Sequence, residues 1–355
     1  MATSVDRKLF VSIIINNYNY DRFLAEAIDS ALNQTYPYAE VIVVDDGSTD
    51  GSRDIIAGYG DLIIPVLQEN GKQGKALNNG FAHSQGEIIL FLDSDDCLLP
   101  QAVDRIANHW KPELAKIHYR LTVVDTEQQP LGFSYPPEGQ LLANGQVWQE
   151  LLRTSGYTSS PMSGNAYSRR TLQQIFPIPD EYTLTADDYL MISTPFYGEV
   201  IGIEEPLGIY RIHTSNQWAL SSVSGSRFRR FVCHDLQNYA LLVLKATEQG
   251  YDIPPDLERR NLGRMWSRLA SLRLEPEEHP VASDRPLQLT YWGIHTLWHY
   301  SKHNLYKRFI YTVWFLWVGF MPVPLAALAI SWLYAPHLRP KLIGWTLTRL
   351  RTLVS

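Results

Sequence analysis

The chain has 355 residues, 45% of them hydrophobic and 19% charged, enough to bury one large or two ordinary domain cores and too oily for a disordered polymer. Its formal charge of −6 is unevenly spread: Arg285 to Ser355 holds eight Lys or Arg and no acid, which leaves the first 284 residues at −14. An acidic body argues against nucleic acid as a partner, and two distant cysteines, Cys97 and Cys233, argue against a disulfide framework or a zinc site.

The first ten residues, MATSVDRKLF, contain no apolar run, so no secretory signal is expected and a cytosolic, reducing setting follows. Phe10 to Asn16 then reads as a strand, Asn17 to Tyr20 as its turn, and Asp21 to Leu32 as a helix. Phe23, Leu24, Ala27, Ile28 and Ala31 share one face of that helix. Glu40 to Val44 is a second strand, and Asp45-Asp46-Gly47-Ser48-Thr49-Asp50 leads from its end into a helix over Ser52 to Gly58. In open α/β sheets ligands bind beyond the carboxyl ends of strands, and a carboxylate such as Asp45 accepts N–H and O–H donors of a base or a ribose.

A third strand, Asp61 to Leu67, is followed by Glu69-Asn70-Gly71-Lys72-Gln73-Gly74-Lys75 and a helix over Ala76 to His83. Two glycines and two lysines opening a helix suit a diphosphate, although neither GxxxxGK[ST] nor GxGxxG is present. Glu87 to Leu92 is an apolar strand that runs directly into Asp93-Ser94-Asp95-Asp96, with a helix starting near Pro100. Three acids in four residues repel one another beside a hydrophobic strand, and a divalent cation, Mg²⁺ or Mn²⁺, is the simplest partner for their hard oxygens; a solvated acidic turn, with Asp96 aiding the N-terminus of the next helix, is the alternative. The alternation from Phe10 to Trp110 predicts right-handed βαβ units in an α/β, Rossmann-like, doubly wound and mostly parallel sheet.

The stretches SIIINNYNY, VIVVDDGSTDGS, ENGKQGKALNNG and GEIILFLDSDD closely resemble family 2 glycosyltransferases of GT-A fold, over roughly Phe10 to Asn216. The resemblance implies that Asn17, Tyr18, Asp45 and Asp46 hold the base and ribose, and that Lys75 and Asn78 line the donor pocket. It implies that Asp93-Ser94-Asp95 is the DxD motif, with Asp95 on the metal, Asp93 nearer the ribose, Ser94 in the nucleotide-sugar pocket and Asp96 behind them.

Ala115 to Val124 reads as a strand, Gly132 to Gly145 as loop-rich, and Thr154 to Arg170 carries small residues suited to a backbone passing close to a ligand. Leu184 to Leu190 places Asp187 and Asp188 at the start of an apolar helix, where acids also serve as simple helix caps. In the family this site reads Glu-Asp and its second acid is the general base, which implies Asp188 as base with the shorter Asp187 beside it. Gly208 to Asn216 has a Tyr-Arg-x-His-x-x-Asn pattern in which the resemblance brings His213 toward the metal or diphosphate, with Arg211 as a weaker candidate.

After Ser221 the resemblance ends. Arg227 to Gly250 and Leu257 to Leu274 read as amphipathic helices, and Phe309 to Pro336 is free of charge, with six of the ten tryptophans lying after residue 290. Pro322 and Pro324 break that span, and Phe309 to Met321 alone is about 20 Å long, too short to cross a bilayer. An in-plane or re-entrant hairpin on the anionic cytoplasmic leaflet is expected, followed by a basic segment; a helical pair buried in the protein is the alternative.

The expected organisation is a GT-A domain over 1–220, a helical region over 221–300 and a membrane-associating tail over 301–355. The expected activity is transfer of a sugar from a nucleotide donor, UDP-linked, to a saccharide or lipid-linked saccharide acceptor in cell-surface glycan synthesis. It would proceed with inversion and a divalent metal. A metal-dependent nucleotidyltransferase would share the acidic strand end but not need Asp188, and a silent membrane scaffold would not need Asp95.

Overall fold

The structure, a computed structural model, describes residues 8–213 and 224–334. Asn216, the boundary near 220 and the basic segment with Arg339, Lys341 and Trp345 lie outside the described residues. The chain divides into two compact units, 1–149 with 157–214, and 150–156 with 215–355.

In the first unit the elements run β1 (Val11–Asn17), α1 (Asp21–Leu32), β2 (Ala39–Asp46), α2 (Ser52–Gly58), β3 (Ile64–Gln68), α3 (Lys72–His83), β4 (Ile88–Asp93), β5 (Cys97–Leu98) and α4 (Ala102–His109). They continue with β6 (Leu114–Val124), β7 (Pro130–Tyr135), α5 (Trp148–Thr154, shared with the second unit), β8 (Asn165–Ser168), α6 (Arg169–Ile175), α7 (Ala186–Ser193) and β9 (Glu199–Arg211). One sheet takes the order β3-β2-β1-β4-β8-β6-β9-β5, with β7 on β6. The β3-β2-β1-β4 half is parallel throughout, so its strand ends all open on one edge. β8 then runs antiparallel to β4 and β6, while β6 and β9 are parallel.

The hydrophobic patterning explains the core. Ile13, Ile14 and Ile15 of β1 and Leu90, Phe91 and Leu92 of β4 are buried on both faces of their strands, as continuous apolar runs in a parallel sheet require. Phe23, Leu24, Ala27, Ile28 and Ala31 of α1 are all buried. Local differences from the sequence reading have local causes. β3 begins at Ile64 because a 3-10 turn occupies Gly60–Leu62, and α3 begins four residues early, at Lys72. The loop-rich stretch opens with the exposed edge strand β7, whose alternation is masked by Pro130 and Gly132.

The second unit contains α8 (Gly225–Glu248), α9 (Leu262–Leu274), α10 (Pro286–His299), α11 (Leu305–Phe320) and α12 (Val323–Tyr334). Its core joins Phe228, Met265, Leu269, Leu289, Phe315 and Ile330, so both halves of the charge-free span contribute to it. The break between α11 and α12 falls on Met321-Pro322, as a residue without an N–H predicts. Gly293 and Gly319 let α10 and α11 approach closely: a Cβ on either would overlap Phe315 or Thr290. Among the described residues no helix is long and apolar enough to cross a membrane.

Candidate functional site

The parallel register sets Asn17 beside Asp45, and Asn16 beside Asp93, at the carboxyl edge of the sheet. Two acidic turns leave that edge. The first, after β2, is tied down by the protein. Asp45 is fully buried; its Oδ1 accepts from Asn17 Nδ2 at 3.1 Å, and its Oδ2 from the Ser48 N–H at 3.1 Å and Arg53 Nε at 2.9 Å. Burial pushes the Asp45 carboxyl up, but the bonds from Ser48, Arg53 and Asn17 outweigh it and hold it below its ordinary value. Asp46 Oδ1 accepts from Gln68 Nε2 at 2.6 Å and the Gly71 N–H at 2.7 Å. Gly47 holds a φ of +80° with its Cα against the Asn70 backbone, a position only glycine fills without strain.

This turn is laced to the one after β1. Asn19 Oδ1 accepts from the Thr49 N–H at 2.7 Å, and Asp50 Oδ2 from the Asp21 N–H at 2.9 Å. Within the pair of loops Asn17 Oδ1 is buried without a protein donor, and Tyr18 is nearly half exposed beside it. A buried carbonyl oxygen lacking a donor is costly unless a ligand supplies one.

The second acidic turn, after β4, is different. Asp93 Oδ1 accepts from Asn16 Nδ2 at 3.0 Å and Gln73 Nε2 at 3.1 Å, yet burial, followed by the charge of Asp95, pushes Asp93 up to about 6. Asp96 is buried, with Oδ2 accepting from Ser163 Oγ at 2.6 Å and Oδ1 from the Arg211 N–H at 3.0 Å. Burial, then Asp95 and Asp93, push it well above the usual carboxylate range. Ser94 is buried between them, and Asp95 Oδ2 lies 2.9 Å from His213 Nε2. The His213 ring packs against Tyr20 and Phe23 at 5.5 and 5.2 Å between centroids. Arg211 is buried but aims elsewhere: its Nε donates to the Asp95 carbonyl at 2.9 Å and its guanidinium pairs with Glu26.

Among the described residues no three His, Cys, Asp or Glu side chains converge to hold a metal by themselves. The donor set nevertheless fits a divalent cation completed by phosphate oxygens: a carboxylate and an imidazole in contact, a second carboxylate pushed up by burial and then by like charge, and the buried Asn16 Oδ1 without a protein donor.

The Gly-Lys stretch is not an open cradle. The Gly74 N–H donates to the Thr183 carbonyl at 2.8 Å, and Lys75 pairs with Asp180. Asn78 spends both polar atoms on Ile178, donating to its carbonyl at 3.0 Å and accepting its N–H at 2.7 Å. Through these contacts α3 anchors the segment that leads into α7.

At the start of α7, Asp187 is pushed up to about 8 by burial, then by Asp188 and by Asp93, so the acidic ends of α7 and β4 feel one another. The opposing cation is Lys116 of β6, fully buried and donating to Ser159 Oγ at 2.9 Å and Tyr157 Oη at 3.2 Å. Burial lowers Lys116 to about 7, against the pull of Asp187. Sequence reasoning missed Lys116 and Arg53, and it read Ser163 only as one of the small residues of a ligand-side backbone. Lys116 had a signal: Lys116, His118 and Arg120 alternate with Ala115, Ile117 and Tyr119, which puts three basic side chains on one face of a buried strand. Arg53 had none, and nothing in the small-residue stretch pointed Ser163 to Asp96, since each reaches its acid only through tertiary packing.

Residues 12–140 match the family model described as Glycosyl transferase family 2. An uncharacterized glycosyltransferase of Nostoc sp. is 36% identical over 212 residues, 58% of this chain and 66% of that one. One of Rickettsia typhi is 46% identical over 98 residues, 28% and 31% of the two chains. The chain thus spans less than two thirds of either relative. Among solved structures, S. aureus TarS 1–349 in complex with UDP-GlcNAc superposes with a TM-score of 0.55 at 14% identity over 91% of each chain, a likeness of fold.

Proposed function

We propose, from the match of residues 12–140 to the family 2 glycosyltransferase model, that the chain transfers a sugar from a nucleoside diphosphate donor, UDP-linked, to a saccharide hydroxyl with inversion. The observation that carries this reading is the carboxyl end of β4, where Asp93, Asp95 and His213 meet within electrostatic reach of Asp187. Asn17, with its unpartnered oxygen, and Tyr18 receive the base, Asp45 and Asp46 hold the two loops that frame it, and Ser94, buried in the turn after β4, belongs to the nucleotide-sugar side. Lys75 and Asn78 act on the donor through the segment they anchor.

Asp188 is the base: it takes the acceptor hydroxyl proton as that oxygen bonds to the anomeric carbon and the bond to the nucleoside diphosphate breaks. Asp187, set back against Lys116, keeps the neighbouring charge in place. A Mn²⁺ or Mg²⁺ ion held by Asp95 and His213, with Asp93 beside it, would offset the charge that develops on the leaving diphosphate. The reading extends to a cytoplasmic-face location with a lipid-linked or cell-surface glycan acceptor, supported by the acid-free basic C-terminal stretch and its tryptophans.

Thermal shift with a panel of nucleoside diphosphates, each with Mg²⁺, Mn²⁺ or chelator, tests the donor site. A nucleotide at about 100 times its dissociation constant stabilises by about 2.7 kcal/mol. One nucleotide that stabilises only with metal, and not in Asp95→Asn, is the expected result; no shift with any pair would remove the reading.

A further inference from the structure

The second unit carries an apolar surface that its own core does not use. α11 buries Trp314, Phe315 and Val318. At 100° per residue these cover one side of the helix, and Leu305, Phe309, Val313, Leu316 and Phe320 fall within a narrow stripe on another. All five are exposed, Leu305 by 69%, Phe309 by 66% and Phe320 by 60%. α10 repeats the pattern. Leu287, Tyr291 and Trp298 recur at spacings of four and seven residues and are exposed, while Leu289, Gly293 and Leu297 face the core.

Two indole N–H groups join these faces. Trp298 Nε1 donates to Thr312 Oγ1 at 3.0 Å, which sets the α10 stripe beside that of α11. Trp317 Nε1 donates to the Leu325 carbonyl at 3.1 Å, which brings in the exposed Val323, Leu325 and Leu328 of α12. The result is one apolar surface over three helices, larger than isolated exposed side chains would make and of the kind that marks an interaction site.

We infer that this surface, with the α11 stripe at its centre, lies in the plane of an anionic lipid bilayer and seats the protein on it. This deepens the membrane reading above and rests on it. Charge chooses lipid over a protein partner. From Arg285 to Ser355 the sequence holds no acid, and Lys307 and Arg308 stand at the head of α11, while Lys302 just before it is paired with Glu150. Geometry chooses the plane: α11 has 16 residues, about 24 Å, against about 30 Å of hydrocarbon. A helix with one face in the protein core and another of Leu and Phe, rimmed by Trp and Tyr, fits the boundary between headgroup and acyl chain.

The test uses the full chain in sedimentation with vesicles of phosphatidylcholine alone or with about one third phosphatidylglycerol. Three proteins are compared: wild type, Phe309→Glu/Leu316→Glu, and Lys307→Glu. Wild type binds the anionic vesicles, the double variant about 100-fold more weakly and Lys307→Glu about tenfold more weakly. The nucleoside diphosphate shift and the melting temperature stay unchanged in both.

Wild type that binds neither vesicle overturns the membrane reading itself. Wild type and double variant binding anionic vesicles equally leaves that reading in place and overturns this surface. A wild-type dimer that becomes monomeric in the double variant, without vesicle binding, assigns the surface to a second copy of the chain. A melting temperature that falls by several degrees in both variants assigns it to the chain's own packing.

Discussion

The two acidic turns leave the same edge of one sheet, each with an aspartate in its strand and more acids just beyond, and they behave oppositely. After β2, every oxygen of Asp45 is bonded by Asn17, Ser48 or Arg53, and the carboxyl is held below its ordinary value. After β4, burial and mutual repulsion push Asp93 up to about 6 and hold Asp96 well above the usual carboxylate range. A run of acids therefore does not by itself mark a cation site. What separates the two turns is the balance of terms: at Asp45 the hydrogen bonds it accepts outweigh burial, while at Asp93 and Asp96 burial and like charge outweigh theirs.

The strongest way to sharpen the contrast is to act on the β4 side. Asp188→Asn removes the base and is expected to lower kcat by about 10²–10⁴-fold in a donor-turnover assay, while metal-dependent nucleotide stabilisation survives. A nucleotidyltransferase would keep its rate. On the β2 side, Asp45→Asn strands the donors of Ser48 and Arg53 and costs about 1–3 kcal/mol at pH 7 by denaturant unfolding. Asp45 has a lowered folded pKa, so its contribution is present above its unfolded value of 3.8 and is lost as pH falls below it. The cost should shrink in strong acid.

Asp93→Asn has the reverse sign. A carboxyl raised to about 6 favours the fold only while protonated; that stability is complete below 3.8 and is lost as pH rises through 6. In metal-free buffer the variant should therefore gain about 1 kcal/mol over wild type at pH 7–8, with no gain below pH 4. Nucleoside diphosphate with Mn²⁺ should turn the gain into a loss; a variant less stable than wild type at pH 7 without metal would break the contrast.

The smallest effect concerns Lys116. Its folded pKa of about 7 lies below the unfolded 10.5, so between those values the unfolded chain binds the extra proton and wild-type stability rises with pH. Lys116→Met conserves volume and should change stability at pH 7 by less than about 1 kcal/mol. It should also abolish that alkaline rise. A rise that persists in the variant would show that it does not come from the burial of Lys116.

Patterning within single elements was readable without coordinates. The continuous runs of β1, β2 and β4, the apolar face of α1 and the proline break between α11 and α12 all depend on residues a few positions apart, where backbone sterics and period decide. So did the placement of DDGSTD and DSDD at strand ends. The short strands β5 and β8 carry too few residues for a period to register, and β7 hides its own behind Pro130 and Gly132.

The sequence by itself placed the acidic turns at the ends of buried strands, because an acid that follows an apolar run is legible from its neighbours. Only the tertiary structure decided which acids are satisfied. Arg53 on Asp45, Ser163 on Asp96 and His213 on Asp95 are set by packing across 8, 67 and 118 residues of chain. The two hydrogen bonds between Asn78 and the Ile178 backbone, 100 residues away, are likewise set by packing alone. Burial and partner geometry control whether a carboxylate is quiet or poised, and both are properties of three-dimensional packing.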